Sequence, residues 1–337
     1  MSWQRVRGHE KIVEGFGRLV RRGRLGHAYL FAGPSGIGKR LFAQELAKAL
    51  LCEGRDDDRF EACDGCPSCK QMDAGTHPDF MVVARPEESL ELPIESIREL
   101  SRSFALKSAR GKGRVAVLDD ADDLNDAAAN CFLKTLEEPP PRSLLLLIAT
   151  SSDLQIPTIV SRCQIVRFQP LGLPLVKQLV QAKVDDPQLV DRLVRLGDGS
   201  PGRALALADP DLWGFRRTLI NAIAQSPIDG ASLARKWIEH VEDAGKESAA
   251  QRRRGSLSIQ FLIEFLEAAL IVSSGATPRL VEQEDTTDLR RLVDRTSPDA
   301  LIQALDRCFD ASSHIERRVQ LVLVLESLVD ALVGKLN

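Results

Sequence analysis

The chain has 337 residues, a formal net charge of −3 and 28% charged residues, which is ordinary for a soluble globular protein. This length exceeds one compact core, so two or three domains are expected. The weak net charge argues against tight DNA binding by the chain alone, and one Tyr with three Trp argues against aromatic platforms that stack on bases. The arginine clusters at 21–24 and 252–254 are expected to be solvated surface.

The chain shows no sign of a targeting or membrane segment. Its first seven residues are polar and amphipathic, without the apolar stretch of a secretory signal. The longest apolar runs, at 144–149 and 321–325, are too short to cross a bilayer. We therefore expect a cytoplasmic protein without membrane contact. Seven cysteines in such a chain are more typical of free thiols or metal ligands than of a disulfide framework.

Residues 1 to about 170 alternate short apolar runs with helical patterns. The runs are of the length that is typical of buried parallel strands, and they lie at 27–32, 80–84, 114–119, 144–150 and 164–168. Helical patterns separate them at 40–51, 94–106 and 127–136. This alternation predicts an α/β fold, a doubly wound parallel sheet with helices on both faces.

Beyond residue 171 the strand signals stop and the pattern becomes helical. Short helices are predicted at 175–183, 188–196 and 203–208, and helices continue from 212 to the end. The last predicted helix, 315–336, repeats apolar residues every three or four positions. Such a face packs in a core or against another subunit, and the sequence leaves both possibilities open.

A phosphate-binding loop follows the first predicted strand. Residues 33–39 read G-x-x-x-x-G-K and open a helix, which is the context that this motif requires. Gly33, Gly36 and Gly38 allow backbone amides to point at phosphate oxygens, and Lys39 would reach the β- and γ-phosphates. The next residue is Arg40, where Ser or Thr would ligate Mg²⁺. A guanidinium has no lone pair for a metal, so we predict phosphate binding without efficient Mg²⁺-dependent hydrolysis.

An acidic pair ends the predicted strand at 114–119. Asp119 stands where a P-loop protein holds the Mg²⁺ shell, and Asp120 stands where many related ATPases have Glu to orient water. Because Asp is one methylene shorter, its carboxylate would fall about 1 Å short. The following residues Asp122, Asp123 and Asn125 are expected to cap the next helix.

Four cysteines have the spacing of a zinc site. Cys63, Cys66 and Cys69 lie three residues apart in a turn-rich segment, and Cys52 precedes them. Tetrahedral Zn²⁺ takes four such ligands, and four protein ligands close a structural site. A bacterial ferredoxin pattern would need a further cysteine at position 73, which is Asp73. We therefore predict a structural zinc knuckle over 52–69; the remaining thiols are expected in the core: Cys131, Cys163 and Cys308.

Taken in this order, the motifs resemble the clamp-loader AAA+ ATPases of bacterial DNA polymerase III, and among these the delta-prime subunits. The matching segments are 27–31, the four cysteines, 77–79, the acidic strand end, 127–130, 133–140, 148–151 and 161–163. The resemblance implies three domains: a P-loop AAA+ core over 1–171 with the inserted knuckle, a helical lid over 172–209, and a helical collar for oligomerisation over 210–337.

The resemblance also implies roles for single residues. In that family the arginine of a Ser-Arg-Cys motif reaches the ATP site of a neighbouring subunit, and Arg162 has that position here. Ser151 matches the sensor 1 polar residue. Arg203, in a Gly-Ser-Pro-Gly-Arg segment, matches sensor 2 and would face the nucleotide from the lid.

The delta-prime interpretation depends on differences from the motor subunits. The gamma and tau subunits keep Ser or Thr after the P-loop Lys and Glu after the metal Asp, whereas this chain has Arg40 and Asp120. The resemblance implies a subunit without turnover of its own, in a hetero-pentameric ring with gamma/tau and delta subunits that loads the β sliding clamp onto primed DNA. Its implied cofactors are structural Zn²⁺ and, at the P-loop, ATP or ADP. Two alternatives stay open: an active gamma-type ATPase motor, and a zinc-bearing DNA-binding module with a vestigial nucleotide site.

Overall fold

The computed structural model describes residues 2–55, 60–86, 89, 91–245, 248–277, 285–317 and 319–337. The chain divides into two compact units, residues 1–208 and 209–337. The finer division into core, lid and collar stays a prediction.

The first unit contains a parallel five-stranded sheet with the order β2-β3-β4-β1-β5. Every strand predicted from an apolar run is confirmed to within one residue at each end. The strands are β1 (Ala28–Ala32), β2 (Phe80–Val83), β3 (Arg114–Leu118), β4 (Ser143–Ala149) and β5 (Gln164–Arg167). All residues of β1 and β4 are buried, because these strands lie inside the sheet and helices cover both of its faces.

Helices cover both faces of this sheet, as predicted for an α/β fold. Phe31 of β1 packs with Phe42 on one face, and its neighbour Leu30 packs with Phe132 on the other, because successive strand residues point to opposite sides. The helices in chain order are α1 (Glu10–Arg21), α2 (Lys39–Leu51), α3 (Pro67–Asp73), α4 (Ile94–Phe104), α5 (Asp126–Glu137) and α6 (Pro157–Val160).

Three further helices complete the first unit. They are α7 (Leu173–Gln181), α8 (Pro187–Leu196) and α9 (Pro201–Ala206). Each begins with Pro in its first turn, where the missing N–H costs no hydrogen bond. Ser200 caps α9 by accepting the N–H of Arg203 at 3.1 Å.

The second unit is entirely helical in its described part, as predicted. Its helices are α10 (Pro210–Ala224), α11 (Gly230–Glu242), α12 (Ser248–Ser273), α13 (Thr286–Arg295), α14 (Pro298–Glu316) and α15 (Leu321–Leu336). Trp237 lies at the centre of the core, fully buried. Its indole N–H donates to the equally buried Ser258 Oγ at 2.9 Å, so the polar atom of this large side chain is satisfied.

Helix α12 is, among the described residues, the one helix long and apolar enough to cross a membrane by length and composition alone. Its residues Ile259, Leu262, Phe265 and Leu266 belong to the core of the second unit. Burial in a helical core accounts for an apolar helix of this length without a bilayer.

The predicted single helix over 315–336 is wrong. Helix α14 ends at Glu316 and α15 begins at Leu321. At the break, the Arg252 guanidinium donates to the carbonyl groups of Ile315 at 3.4 Å and Val319 at 2.9 Å. These bonds satisfy acceptors that a continuous helix would use internally.

The arginine clusters behave differently from each other. Residues 21–24 are exposed, as expected. The expectation of solvated surface is wrong for Arg252 and Arg254, which are half-buried. Arg252 closes the helix break, and Arg254 pairs with Asp209 at 3.2 Å and donates to the His240 carbonyl. Long arginine stems pack well against helices while their guanidinium groups satisfy backbone oxygens.

Candidate functional site

The predicted phosphate loop connects the buried end of β1 to the start of α2. Gly33 has no room for a side chain, because a Cβ atom there would lie 2.3 Å from the Phe168 carbonyl oxygen. Gly36 has a φ of +76°, a left-handed conformation that favours glycine. Gly38 is the N-cap residue of α2. The three glycines therefore occupy the turning points of the loop.

Lys39 is buried and folds back along the loop. Its ammonium donates to the carbonyl oxygens of Gly33 and, at 2.8 Å, Pro34. Burial lowers the pKa of Lys39, and the nearby carboxylates of Asp122 and Asp119 partly oppose this. Lys39 is thus fixed against the loop by hydrogen bonds to two of its carbonyl oxygens.

The three carbonyl groups that follow, those of residues 35–37, accept from other elements of the same unit. Their donors are the Ser200 hydroxyl at 2.7 Å, the Gly202 N–H at 3.0 Å and His9 Nε2 at 2.9 Å. Five successive carbonyl groups, 33–37, are therefore engaged. The amides of 36–38 donate to no acceptor among the described residues. Carbonyl groups engaged by the protein, with neighbouring amides left for a ligand, are the arrangement that a phosphate cradle needs.

The residues that would hold Mg²⁺ form an ion pair with each other instead. Arg40 NH1 lies 3.1 Å from Asp119 Oδ2, and the two side chains are 56% and 13% exposed. Asp119 is thus partnered by a cation of the chain itself. Arg40 provides no lone pair, so the residues present do not fit the metal that a P-loop motor uses.

Asp120 is exposed and adopts a left-handed conformation, with φ 55°. Its N–H donates to Asp119 Oδ1 at 3.2 Å. The chain turns sharply here to leave β3, so the second acid lies on the turn rather than along the strand direction.

Asp122 is an important polar residue that sequence reasoning assigned wrongly. It accepts from the N–H and hydroxyl of Thr150, at 2.6 and 2.8 Å, and from Gln155 Nε2 at 2.7 Å. It therefore ties the turn after β3 to the end of β4 and does not cap a helix. The acidic run at 119–123 marks a cluster of hydrogen-bond acceptors in the sequence. It does not reveal that the donors to Asp122, Thr150 and Gln155, lie about 30 residues further along the chain.

Of the other two residues predicted to cap the helix, Asp123 and Asn125, one caps it and one does not. Asp123 pairs with Arg85 at 2.5 Å, so its prediction as a cap is wrong. Asn125 does cap α5, because its side chain accepts from the Ala128 N–H at 2.9 Å.

Ser151 and Arg203 both come to the phosphate-loop edge of the sheet. Ser151 follows β4, which neighbours β1, and the carboxyl ends of parallel strands share one edge. Its hydroxyl accepts from the Asp153 N–H at 3.1 Å. The backbone of Arg203 adjoins the loop, since a Cβ on Gly36 would lie 3.0 Å from its N atom. The Arg203 side chain is exposed.

Arg162 lies at the other edge of the sheet. It lies two residues before the amino end of β5, whereas the phosphate loop follows the carboxyl end of the parallel neighbour β1. The four residues of β5 separate the two edges by about 13 Å. Arg162 donates through Nε at 2.8 Å and through NH2 to Glu137 Oε1, and through NH1 to the Thr158 carbonyl at 3.0 Å. A partly exposed guanidinium is thus held in one position, away from its own phosphate loop.

The four predicted zinc ligands come together at the other end of α2. The Sγ atoms of Cys52, Cys63, Cys66 and Cys69 all lie within 4.8 Å of one another, and Cys52 and Cys66 are 3.9 Å apart. Tetrahedral coordination with Zn–S distances of 2.3 Å puts sulfur atoms about 3.8 Å apart. The cluster therefore fits a structural zinc ion.

Backbone amides prepare part of this cluster for a cation. Burial disfavours the Cys66 thiolate, but the N–H groups of Cys69 and Glu53 outweigh it and lower the pKa of Cys66 to about 6. Backbone N–H groups also lower the pKa of Cys63, whereas burial raises the pKa of Cys52. Amides that stabilise thiolates are typical around metal-binding cysteines.

A buried lysine joins the knuckle to α2. Lys48 pairs with Asp64 at 2.8 Å and with Asp73 at 2.9 Å, one on each side of the Cys66–Cys69 turn. Burial opposes the charge of Lys48, but the two carboxylates outweigh burial and raise its pKa. This triad fixes the loop between the cysteines on the helix that also carries the phosphate loop.

The His-Pro-Asp segment at 77–79, which is part of the family resemblance, is hydrogen-bonded to the knuckle through Ser68. His77 Nδ1 accepts the Asp79 N–H at 3.1 Å, and its Nε2 donates to Ser68 Oγ at 2.9 Å. Ser68 in turn donates to the Leu51 carbonyl at 2.8 Å. Burial lowers the pKa of His77, which favours this neutral form. The sequence pattern alone did not predict this structural role for the segment.

Asp79 is a fully buried carboxylate with a complete set of donors. It accepts from the N–H groups of Ala109 at 2.7 Å and Arg110 at 2.9 Å, and from the Ser108 hydroxyl at 3.0 Å. Burial raises its pKa, but these donors and Arg114 outweigh burial and hold the pKa of Asp79 below its usual value. The loop before β3 is therefore organised around one negative charge.

The three remaining cysteines lie apart from the cluster. Cys308 is buried and Cys131 and Cys163 are partly buried, in the cores of their units. Burial raises the pKa of both Cys163 and Cys308 to about 12, as for unreactive core thiols.

Comparisons with known proteins show which family the chain resembles. Residues 8–172 match the profile of a family described as DNA polymerase III, delta subunit. The DNA polymerase III subunit delta-prime of Pseudomonas aeruginosa is 34% identical over 226 residues, which are 65% of this chain and 68% of that protein. The DNA polymerase III subunit tau of Salmonella typhimurium is 30% identical over 60% of this chain and 32% of that protein.

Among solved structures, a DNA polymerase III gamma subunit-related protein from Thermotoga maritima aligns with a TM-score of 0.45 and 16% identity, over 96% of this chain and 99% of that one. The fold, the order of the motifs and the extent of the match to the Pseudomonas protein lead to one conclusion. The chain belongs to the family of DNA polymerase III delta-prime subunits.

Proposed function

We propose that this chain is the delta-prime subunit of a bacterial clamp loader, which takes part in ATP-dependent loading of the β sliding clamp onto primed DNA. One observation carries the proposal: Arg162 is presented at the sheet edge opposite its own phosphate loop. A guanidinium there is within reach of another subunit and out of reach of a nucleotide on the same chain.

The arginine would act on the ATP of a neighbouring gamma or tau subunit. Charge develops on the γ-phosphoryl oxygens during transfer, and an arginine supplied in trans is typically worth about 10³ to 10⁵ in rate. Glu137 and the Thr158 carbonyl hold the Arg162 guanidinium in the free chain, which supports a residue that is positioned before assembly.

The same chain is proposed to have no turnover of its own. The Arg40–Asp119 ion pair takes the oxygen that would organise Mg²⁺, and Asp120 lies on a turn. Both features argue against the gamma-type motor, despite the similarity to tau. Steady-state ATPase of the purified chain separates the two functions.

The helical second unit is proposed as the collar that joins the delta and gamma/tau subunits in a five-membered ring. Ile302 and Phe309 of α14 are 46% and 51% exposed and lie seven residues apart, on one side of the helix. Exposed large apolar side chains at helical spacing favour contact with another helix. A replication role would place the protein in the cytoplasm.

The cysteine cluster is proposed to hold one structural zinc ion. Four protein thiolates would complete its coordination, so no position remains for a substrate or a reactive water. When bound, the ion would supply a cross-link between the end of α2 and the turn that opens α3. The role is stability of the core, not chemistry.

The test is reconstitution of the loader with gamma/tau, delta and this chain. We expect Arg162→Ala to leave assembly intact and to lower the DNA- and clamp-stimulated ATPase of the complex at least about 100-fold at the affected site. Arg162→Lys should rescue little, because it keeps the charge and loses the planar fork. Arg102→Ala, an exposed arginine on α4, is the matched control and should change neither quantity.

Three outcomes would contradict the proposal. One is failure of the wild-type chain to co-purify with the other subunits. Another is a fully active complex with Arg162→Lys. The third is tight binding of the isolated chain to DNA with a steep salt dependence, which would favour the DNA-binding module instead.

A further inference from the structure

The ion pair at the phosphate loop occupies the place of a metal ion. In a P-loop motor, the hydroxyl after the Lys and an acid at the carboxyl end of another strand of the sheet both serve Mg²⁺. Here these two positions are Arg40 and Asp119, and their charged groups meet at 3.1 Å. The positive charge beside Asp119 is thus the Arg40 guanidinium, a monovalent cation that belongs to the chain, where a motor would have a bound divalent ion.

A guanidinium can perform the part of the metal's work that concerns binding. It has five N–H donors in a planar fork and pairs with phosphate oxygens, often through two parallel hydrogen bonds. Asp119 uses one terminal nitrogen of Arg40. The side chain is 56% exposed, so the remaining donors are accessible to a ligand.

Arg40 also makes Mg²⁺ a poor ligand of this site. A divalent ion on Asp119 would have to displace the guanidinium and would then lie beside it and near Lys39. Mg²⁺ also demands near-ideal octahedral oxygen ligands, and the hydroxyl that would provide one is missing. A Mg²⁺ ion bound here would therefore be repelled by the two cationic side chains, and it would gain no additional oxygen ligand in return.

The rest of the loop remains suited to phosphate. The carbonyl groups of 33–37 all accept hydrogen bonds from the protein, and the amides of 36–38 donate to no acceptor in the described part of the chain. Lys39 is held under the loop by its bonds to Gly33 and Pro34. Amides, Lys39 and Arg40 together provide donors and two positive charges for a polyphosphate.

We infer that Arg40 replaces the divalent cation of this phosphate loop, so that the site binds the polyphosphate of a nucleoside di- or triphosphate without metal. The inference concerns binding by the chain itself and does not depend on assembly or on Arg162. Its failure and the failure of the proposed function are therefore separately visible.

The test measures binding of fluorescent ADP and ATP analogues to the full-length chain. One titration uses buffer freed of divalent cations by a chelating resin, and the other contains millimolar Mg²⁺. A soluble chelator is avoided because it would also compete for zinc at the cysteine cluster. Zinc content and thermal unfolding of each variant verify that it is folded.

Wild type should bind both nucleotides, with dissociation constants that agree within about threefold in the two buffers. Arg40→Thr restores the missing hydroxyl, so Mg²⁺ should strengthen its binding about tenfold or more, which is about 1.4 kcal/mol. Lys39→Ala should lose binding in both buffers.

Three results would overturn the inference. Wild-type binding that Mg²⁺ strengthens tenfold would show that the metal still has a site. A folded wild-type chain that binds neither nucleotide at millimolar concentration would show that the loop is not a ligand site. If Arg40→Thr bound nucleotide with the same dissociation constant with and without Mg²⁺, Arg40 would not be what makes wild-type binding independent of the metal.

Discussion

The two ends of α2 carry two candidate ligand sites, and only one of them has a complete set of metal ligands. At its first residue, the phosphate loop keeps its glycines and Lys39 but has an ion pair where a metal would be. At its last turn, Cys52 and three further thiols keep a complete set of metal ligands, with Lys48 fastening the turn between them. One helix therefore joins a phosphate loop that lacks a ligand set for Mg²⁺ to a cluster with four thiol ligands.

The difference follows from what each metal would do. A structural ion contributes to folding free energy, so the loss of one ligand destabilises the core in every chain that carries the change. A catalytic ion contributes only to turnover, and a subunit with the role proposed for Arg162 would have no need of turnover of its own. Replacing a ligand is thus costly at the knuckle and tolerable at the phosphate loop.

The largest effect is expected from Cys66→Ser. Zinc content should fall from about one ion per chain to near zero, because three thiolates and a hydroxyl bind the ion far more weakly. Hydrogen exchange should rise around residues 60–75. Cys131→Ser, a thiol outside the cluster, should change neither quantity. A wild-type chain purified without chelator that contains no zinc would contradict the prediction.

Asp79→Asn should have the next largest effect, a loss of about 2–4 kcal/mol in the free energy of unfolding at neutral pH. The variant leaves three donors facing a neutral amide in a fully buried position. Because the native pKa of Asp79 is lowered, its contribution is complete above the unfolded pKa of about 3.9 and is lost as the pH falls.

Urea unfolding at several pH values checks this linkage. The difference between wild type and Asp79→Asn should stay constant from pH 7 to about 4 and should shrink as the pH falls below about 3.9. A difference that stays constant below that pH would mean that the charge of Asp79 contributes nothing and only its shape matters.

Lys48→Met should have a moderate effect, confined to the knuckle end of α2. It leaves the carboxylates of Asp64 and Asp73 without their shared cation, and residues that support metal ligands typically cost about 10- to 100-fold in metal affinity. Competition with a chromophoric chelator measures the zinc affinity. The exposed Lys70 on α3 provides the control, since Lys70→Met should leave affinity unchanged.

The smallest effect is expected from repairing the phosphate-loop end. Neither Arg40→Thr nor Arg40→Thr with Asp120→Glu should raise the turnover of the isolated chain to about 1 s⁻¹, because the arginine of a neighbour is still missing. A coupled ATPase assay measures it. Turnover at that level in the single variant would mean that Arg40 alone separates this chain from a motor.

Local patterns predicted most of the elements, the loop between β1 and α2, and the cluster of four cysteines. Strand bounds were right to within one residue, because apolar runs between turn signals report burial directly. The cysteine spacing identified all four thiols that come together. Such signals work because the residues that matter are near one another in the sequence.

Features that depend on distant partners were missed. Asp122 was expected to cap a helix, but its donors Thr150 and Gln155 come from the end of another strand. The break before Leu321 was missed because the apolar period continues through it, and the arginine that satisfies its carbonyl groups lies more than 60 residues earlier. Hydrogen bonds between residues that are distant in the sequence do not produce a periodic pattern that a sequence alone would show.

The contact between Gly36 and Gly202 bears on how this chain can change over time. A Cβ on Gly202 would lie 2.7 Å from the Gly36 Cα, so neither position accepts a methyl group unless α9 moves off the loop. A substitution at either glycine should therefore disturb the packing of α9 on the loop, whether or not a nucleotide binds. The glycines of a phosphate loop can thus be required for packing even in a chain whose loop has no catalytic role.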